Sequence, residues 1–463
     1  MIEGLKPYAE YKESGQKWLG QVPRQWASFP LCRVATPKSE CGRTDLELLS
    51  VYLHRGVIRY ADSGGQVHKP SLDLSKYQVV APGDFVLNNQ QAWRGSIGVS
   101  KFQGIISPAY VVLKLSPKLN PGYANYLFRS PAMVAQYVAA SRGVGDIQRN
   151  LFYPDLRNSI ALLPPPDEQA AIVRFLDHAN RKIDGFIRAK RKLIGLLNEQ
   201  KQAIIHRAVT RGLHPDVPLK PSGIPWLGDI PKHWEARRLK SFASNVTDQT
   251  MTMRDDEPYI ALENVESWTG SVKPQHKQGE ALFIGQVKIF CSNDVLFGKL
   301  RPYLAKVITA TTSGVCVGEF FVLRPNESVI IPRFLEQLLR SKKAIDIINR
   351  STFGAKMPRT DWQFVGTLRV ALPPVSEQQL ITESISLEIR PLNTAIARTE
   401  REIALMQEYR TRLTADLVTG KLDVRAAAAR LPEEKSDVAD TSDESEMSDL
   451  SEEPEEPILE EEP

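Results

Sequence analysis

The sequence predicts a mixed α/β chain made of two tandem copies of one unit, each copy closed by a long amphipathic helix. Three observations carry that expectation: a duplicated opening motif, a duplicated closing motif and a heptad spacing behind each closing motif. Ser14 to Ala35 is SGQKWLGQVPRQWASFPLCRVA and Ser222 to Ala243 is SGIPWLGDIPKHWEARRLKSFA, identical at nine of 22 positions, with Trp18 and Trp226 208 residues apart. Leu163 to Gln169 (LPPPDEQ) matches Leu372 to Gln378 (LPPVSEQ) at an offset of 209. Two unrelated motifs repeating at nearly one offset point to internal duplication.

Within each copy the order is the same. After the opening motif come short apolar runs such as Phe85 to Leu87, Tyr110 to Leu113 and Phe320 to Leu323, punctuated by Gly and Pro, which is the pattern of a compact domain with short strands. Leu-Pro-Pro then ends the domain, because proline restricts both itself and the residue before it. Asp167 and Ser376 are placed to cap the helices that follow, with Glu168 and Glu377 in the first turn facing the positive end of the dipole. Ile172, Leu176, Ala179, Ile183, Ile187, Ile194, Leu197, Ile204 and Ala208 recur at three- and four-residue steps. The second copy has Ile381, Ile385, Glu388, Leu392, Ile396, Ile403, Met406, Leu413 and Leu417 in the same places. Sustained heptad spacing predicts two long helices packed on each other as a coiled coil, antiparallel if a whole domain joins the end of one to the start of the other and the copies are related by a pseudo-twofold. The alternative is that each helix packs on its own domain. Lys190, Lys201, Glu388 and Arg410 are polar residues at seam positions, suited to fixing register, and Pro391 is placed to kink the second helix or split off its first turns.

The expected boundaries are 1–163 for the first domain, 167–211 for its helix, 214–372 for the second domain, 376–421 for the second helix and 426–463 for an acidic disordered tail. The pseudo-twofold repeat and the tail complete the predicted fold class. From Glu433 to Pro463 there are 15 acidic residues and one lysine, so the remaining chain carries +18 of the overall +4. A body that basic suits a polyanionic partner, although solubility alone also explains it.

Composition narrows the classes further. No run of 18 apolar residues and no charged-then-apolar leader is present, so neither a membrane span nor a signal peptide is expected. Cys32, Cys41, Cys291 and Cys316 are scattered without a C-x-x-C pair, which fits a cytoplasmic location and no disulfide framework or zinc site. The seven histidines do not pair at metal-ligand spacing. There is no N-P-P-[FY] or D-P-P-Y methyltransferase motif and no G-x-x-x-x-G-K-[ST] loop, and Gly143-Val-Gly145 lacks the third glycine of a dinucleotide fingerprint. No catalytic residues are expected.

The chain resembles the specificity subunits of type I restriction–modification systems. The resemblance rests on WLGQVPRQW and WLGDIPKHW, on LPPPDEQAAI and LPPVSEQQLI with the helices behind them, on Gly83 to Ser100 and Gly104 to Tyr110, and on Asp294 to Leu304 and Gly354 to Thr360. It spans about residues 14 to 425, outside the acidic tail. The resemblance implies two target-recognition domains, each reading half of a bipartite site on double-stranded DNA, with the paired helices as the ruler for a non-specific spacer. It implies two methyltransferase subunits carrying S-adenosylmethionine and restriction subunits using ATP and Mg for translocation and cleavage. It implies no cofactor, no catalysis and no membrane contact for this chain.

Base edges are read by Arg, Lys, Asn and Gln, which supply paired donors or donor–acceptor forks. In the first domain Asn88, Asn89, Gln90, Gln91 and Arg94 lie in one loop, and Arg142, Gln148 and Arg149 flank the glycine turn before the helix. In the second, Lys299, Arg301 and Tyr303 hold the first of these places and Lys356 and Arg359 the second. A solvated polar face explains any one of them equally well; the recurrence in both halves favours DNA. The four tryptophans of the opening motifs read as core anchors. From Glu168 to Arg211 ten basic residues face four acidic ones, against six and seven from Glu377 to Lys421. The first helix is therefore expected nearer the DNA backbone through Arg188, Lys190, Arg191 and Lys192, unless the two helices simply neutralise each other. Two other functions fit the same residues: a non-reading assembly scaffold or decoy, and an enzyme with unrecognised motifs.

Overall fold

The computed structural model describes residues 5–16, 19–53, 55–63, 70–144, 148–252, 257–273, 285–354 and 356–432. Trp18, Gly145 and most of the acidic tail lie outside them. Two compact units result, one of residues 1–188 with 403–463 and one of residues 189–402.

In the first unit, Ala27–Pro30 pairs antiparallel with Ile160–Leu163, Ala27 opposite Leu163. The strand that leaves the opening motif thus lies beside the strand that enters Leu-Pro-Pro. A four-stranded antiparallel sheet follows the order Ala35–Pro37, Tyr110–Leu115, Phe85–Asn88, Ile97–Val99. Its apolar runs supply Phe85, Leu87, Ile97 and Leu113 to the core. Helices Pro121–Phe128 and Pro131–Ala140 begin with Pro at the first helical position and are capped by Asn120 and Ser130.

The second unit repeats these connections. Glu235–Arg238 pairs with Arg369–Leu372, and the sheet order is Ala243–Val246, Phe320–Pro325, Val295–Gly298, Val307–Thr309. Helices Pro332–Arg340 and Lys342–Arg350 take the place of the first unit's pair.

The long helices are Pro166–Arg211 and Val375–Val418. Each starts one residue before the expected cap, so Asp167 and Ser376 sit inside the first turn. Proline at the first helical position has its φ already set and has no N–H to satisfy, which lets Pro166 open the helix. Helix 375–418 runs through Pro391 unbroken. Pro391 and Leu387 one turn earlier are both exposed, so water reaches the stretch where the imide leaves a carbonyl unpaired.

In each unit a segment of one helix runs antiparallel to a segment of the other. In the first, Arg410 donates to Asp184, and Ile172, Phe175 and Leu176 share a core with Leu413, Leu417 and Val418. The Tyr123 hydroxyl lies within hydrogen-bonding distance of both the Leu162 carbonyl (3.2 Å) and the Val418 carbonyl (3.4 Å). In the second, Lys190 meets Glu402 at 2.7 Å and Arg207 meets Glu388 at 3.4 Å. Half-exposed pairs of this kind contribute under about 1 kcal/mol each, so they select register more than they add stability. Lys201, also on the seam, is buried, and burial lowers its pKa, with Arg340 adding to the effect.

The two motifs of each copy meet in space. Trp26 is fully buried and its Nε1 donates to Glu168 Oε1 at 2.7 Å, while the Tyr8 hydroxyl donates to the same oxygen. Trp234, equally buried, donates to Glu377 Oε2 at 2.9 Å, and His233 Nε2 lies 2.8 Å from that oxygen. The neighbouring glutamines tie down the loops: Gln169 Nε2 donates to the Lys118 and Pro164 carbonyls, and Gln169 Oε1 accepts from Asn120 N–H. Gln378 does the same with Val329, Pro373 and Ile331. The glycine after each helix closes the joint from the other side, Gly420 against Pro23 and Trp26, Gly212 against Trp234 and Glu377.

The joint is testable at its glycines and at its indole. Gly420 and Gly212 both have left-handed φ (+76° and +74°), but an alanine Cβ would lie 2.4 Å from Pro23 Cδ at 420 and no nearer than 3.2 Å to any atom at 212. The backbone cost is about 1 kcal/mol in each, and overpacking adds about 1–3 kcal/mol at Gly420. Thermal denaturation of the full chain should show Gly420→Ala lowering Tm more than Gly212→Ala; equal losses would contradict the packing. Trp26→Phe strips the indole donor from a buried carboxylate at a cost of about 2 kcal/mol. The same change in a Glu168→Gln background should cost less, and additive losses in denaturant titrations would rule the coupling out.

Candidate nucleic-acid interface

The candidate residues of the first unit come from two chain segments that the fold brings together. Strand Phe85–Asn88 ends in an Asx turn: Asn88 Oδ1 accepts from Gln90 N–H at 3.1 Å and the Asn88 carbonyl from Gln91 N–H at 3.1 Å. The chain then makes a 3-10 turn at Ala92–Arg94 that Gly95 closes with φ of 100°. Trp93 Nε1 donates to the Gln90 carbonyl at 2.9 Å, fixing the indole against the loop. Over that ring lie two guanidinium groups, Arg94 at 4.7 Å and Arg149 at 5.7 Å from the centroid. Each such contact is worth about 0.5–1 kcal/mol at an exposed site and orients the guanidinium plane.

Arg149 comes from strand Gln148–Asn150, which pairs with Arg142–Val144, Arg149 opposite Gly143. Leu151 N–H donates to the Asn89 carbonyl at 2.9 Å and fastens this hairpin to the first loop. Asn89 Oδ1 is buried without a hydrogen-bond partner among the described residues. Arg142 donates to Asp155, which offsets its charge. Of Gln148 only the backbone is described.

The second unit repeats the convergence with different side chains. Lys299, Arg301 and Tyr303 follow strand Val295–Gly298, and Arg301 and Ala305 bracket the 3-10 turn Pro302–Leu304 in left-handed conformations (φ 49° and 47°). Such backbone costs about 1–2 kcal/mol per residue and needs external support. Hydrogen bonds from Arg301 N–H to the Pro358 carbonyl (2.7 Å) and from Thr360 N–H to the Lys299 carbonyl (3.0 Å) supply it. Lys356 is exposed, whereas Arg359 makes a two-pronged pair with Glu319 at 3.2 Å and 3.2 Å. Arg359 therefore holds the loop together.

The structure thus brings the two predicted clusters together in each unit, with Arg142 and Arg359 engaged by carboxylates. Sequence reasoning left out Trp93 as the mount for two arginines, although an aromatic beside Arg94 was a signal for it. It also left out the exposed Phe353 and Met357 that flank Lys356. Among the described residues no group of three or more His, Cys, Asp or Glu is arranged to hold a metal ion, and no helix is long and apolar enough to cross a membrane.

No protein-family profile matches the chain. It is 23% identical over 320 residues to the type I restriction enzyme EcoDI specificity subunit of Escherichia coli, covering 62% of this chain and 70% of that one. It is 21% identical over 373 residues to the type I restriction enzyme MjaVIII specificity subunit of Methanocaldococcus jannaschii, covering 76% and 83%. These relatives are type I specificity subunits, the family that the sequence motifs resemble. In fold it is similar to a solved chain from a study of complex assembly and conformational transition in a type I R-M system, with a TM-score of 0.59, 16% identity and coverage of 86% of this chain and 98% of that one. The loops above are candidates for recognition.

Proposed function

We propose that this chain is a type I specificity subunit that reads a bipartite target on double-stranded DNA, each unit contacting one short block, and that the long helices set the non-specific gap between the blocks as an antiparallel coiled coil. Methyltransferase subunits, two per chain, and translocase–nuclease subunits assemble on it and carry S-adenosylmethionine, ATP and Mg. The observation that supports this most is the recurrence, in both units, of two polar and cationic loops joined at the same place in the sheet order. Asn88, Asn89, Gln90, Gln91, Arg94, Gln148 and Arg149 are the reading residues of the first unit, with Lys299, Arg301, Tyr303 and Lys356 for the second. Arg142 and Arg359 act through Asp155 and Glu319 to position their loops.

Selection from random duplexes with the chain and its methyltransferase should return two defined blocks at one fixed gap. A scaffold without sequence preference would return none, and methylation by the isolated chain with S-adenosylmethionine would favour an enzyme instead.

The basic stretch of the first helix is assigned to the DNA backbone of the gap. Arg188, Arg191 and Lys192 are exposed, whereas Lys190 is held by Glu402. Replacing Arg188, Arg191 and Lys192 with Gln should lower the slope of log affinity against log salt by about 0.9 for each phosphate that is no longer neutralised. An unchanged slope would remove this stretch from the interface.

A further inference from the structure

The candidate edge of the second unit carries a feature that polar recognition does not use. Phe353 and Met357 are 59% and 50% exposed, and Tyr303 is 44% exposed. Large apolar side chains gathered in one exposed loop mark a contact surface more often than chance. The loop that presents them is braced. Phe353 and Arg359 exchange backbone hydrogen bonds at 3.0 Å in both directions, and Gly354, with φ of 91°, packs where a Cβ would lie 3.2 Å from the Met357 carbonyl oxygen. The Arg301–Pro358 hydrogen bond ties the turn carrying Tyr303 to the same base.

The charges around this surface favour a polyanion. Lys356 is exposed and Arg301 partly so. Of the nearby carboxylates, Glu319 is occupied by Arg359, and Asp361 accepts the Phe364 N–H at the start of the next helix. In the first unit the aromatic of the loop that corresponds to the one carrying Tyr303, Trp93, is instead covered by Arg94 and Arg149.

We infer that Phe353 and Met357 form a wedge that enters the duplex between two base pairs and unstacks one step of the block read by the second unit. This rests on the DNA-reading function proposed above. Apolar side chains flanked by cations do this in other DNA-bending proteins, where the step that is cheapest to unstack becomes part of the specificity. The thioether of Met357 adapts to an irregular stack, and the ring of Phe353 replaces the missing stacking partner.

The test uses the full chain with its methyltransferase on the duplex found by selection, with 2-aminopurine placed at each position in turn. The wild-type complex should brighten the probe at one step of one block, in addition to any brightening at the methylated base. F353A/M357A should return that step to the fluorescence of free duplex, keep the signal at the methylated base and weaken binding about tenfold. F353L, which retains apolar bulk, should give an intermediate signal. R301Q/K356Q should weaken binding yet keep the unstacking at saturating protein. Because both apolar side chains are exposed, Tm should not change, and F353L covers the case in which the double variant misfolds. An unchanged fluorescence profile in F353A/M357A would overturn the wedge, as would loss of methyltransferase co-assembly in its place, which would make the surface a protein-docking site. If wild type shows no sequence preference at all, the DNA-reading function itself fails.

Discussion

A carboxylate in the first turn of each long helix, buried at Glu168 and partly buried at Glu377, and held by an indole from the far end of the domain, is the contact on which both units are organised. Burying a carboxylate costs several kcal/mol unless its lone pairs are filled. Glu168 has Trp26 and Tyr8, and Glu377 has Trp234 and His233, with the helix dipole adding to both. Burial and then the hydrogen bond to Glu168 push the Tyr8 hydroxyl far above the ordinary phenol range, so it remains a donor. Because the tryptophan also contacts the glycine that ends the other helix, one side chain fixes the sheet, a helix start and a helix end in each unit.

From that anchor the candidate edges follow by register. The strand leaving the tryptophan pairs with the strand entering Leu-Pro-Pro, and the four-stranded sheet places the loop after its third strand beside the hairpin that precedes the closing strand. The scaffold is alike in the two units, whereas the loop chemistry differs. The first mounts guanidinium groups on an indole, and the second exposes apolar side chains on a braced hairpin. A common frame with divergent loops gives the two units unlike surfaces at the same place.

Much of the frame was legible in the residues. Trp26, Trp234, the Leu-Pro-Pro stops and the heptad stripe are residue types whose physics is local. The strands expected at Phe85, Tyr110 and Phe320 occur there, as Phe85–Asn88, Tyr110–Leu115 and Phe320–Pro325. What an offset between motifs does not convey is proximity: nothing in the spacing says that Trp26 donates to Glu168, 142 residues away. The polar seam residues were recognisable as exceptions to the stripe, but their partners, Glu402 for Lys190 and Asp184 for Arg410, depend on how the helices are paired. The candidate site was legible in residue type only. Whether an arginine faces outward or is engaged by a carboxylate depends on Asp155 and Glu319, which lie 13 and 40 residues from the arginines they hold.

The division of the chain has a consequence for how it comes into being. The second unit is one continuous stretch, 189–402, whereas the first is completed only by residues 403 onward. A ribosome therefore releases the later-encoded unit in foldable form first. The earlier-encoded one, with Tyr123 and the Val418 carbonyl 295 residues apart in sequence, leaves the faces of Ile172 and Leu176 open until Leu413, Leu417 and Val418 emerge. Closing so long a loop is slow compared with local folding, and the exposed stripe is vulnerable to aggregation meanwhile. Synthesis of this chain thus contains a built-in interval in which the apolar face of its first-made segment waits for its last-made one.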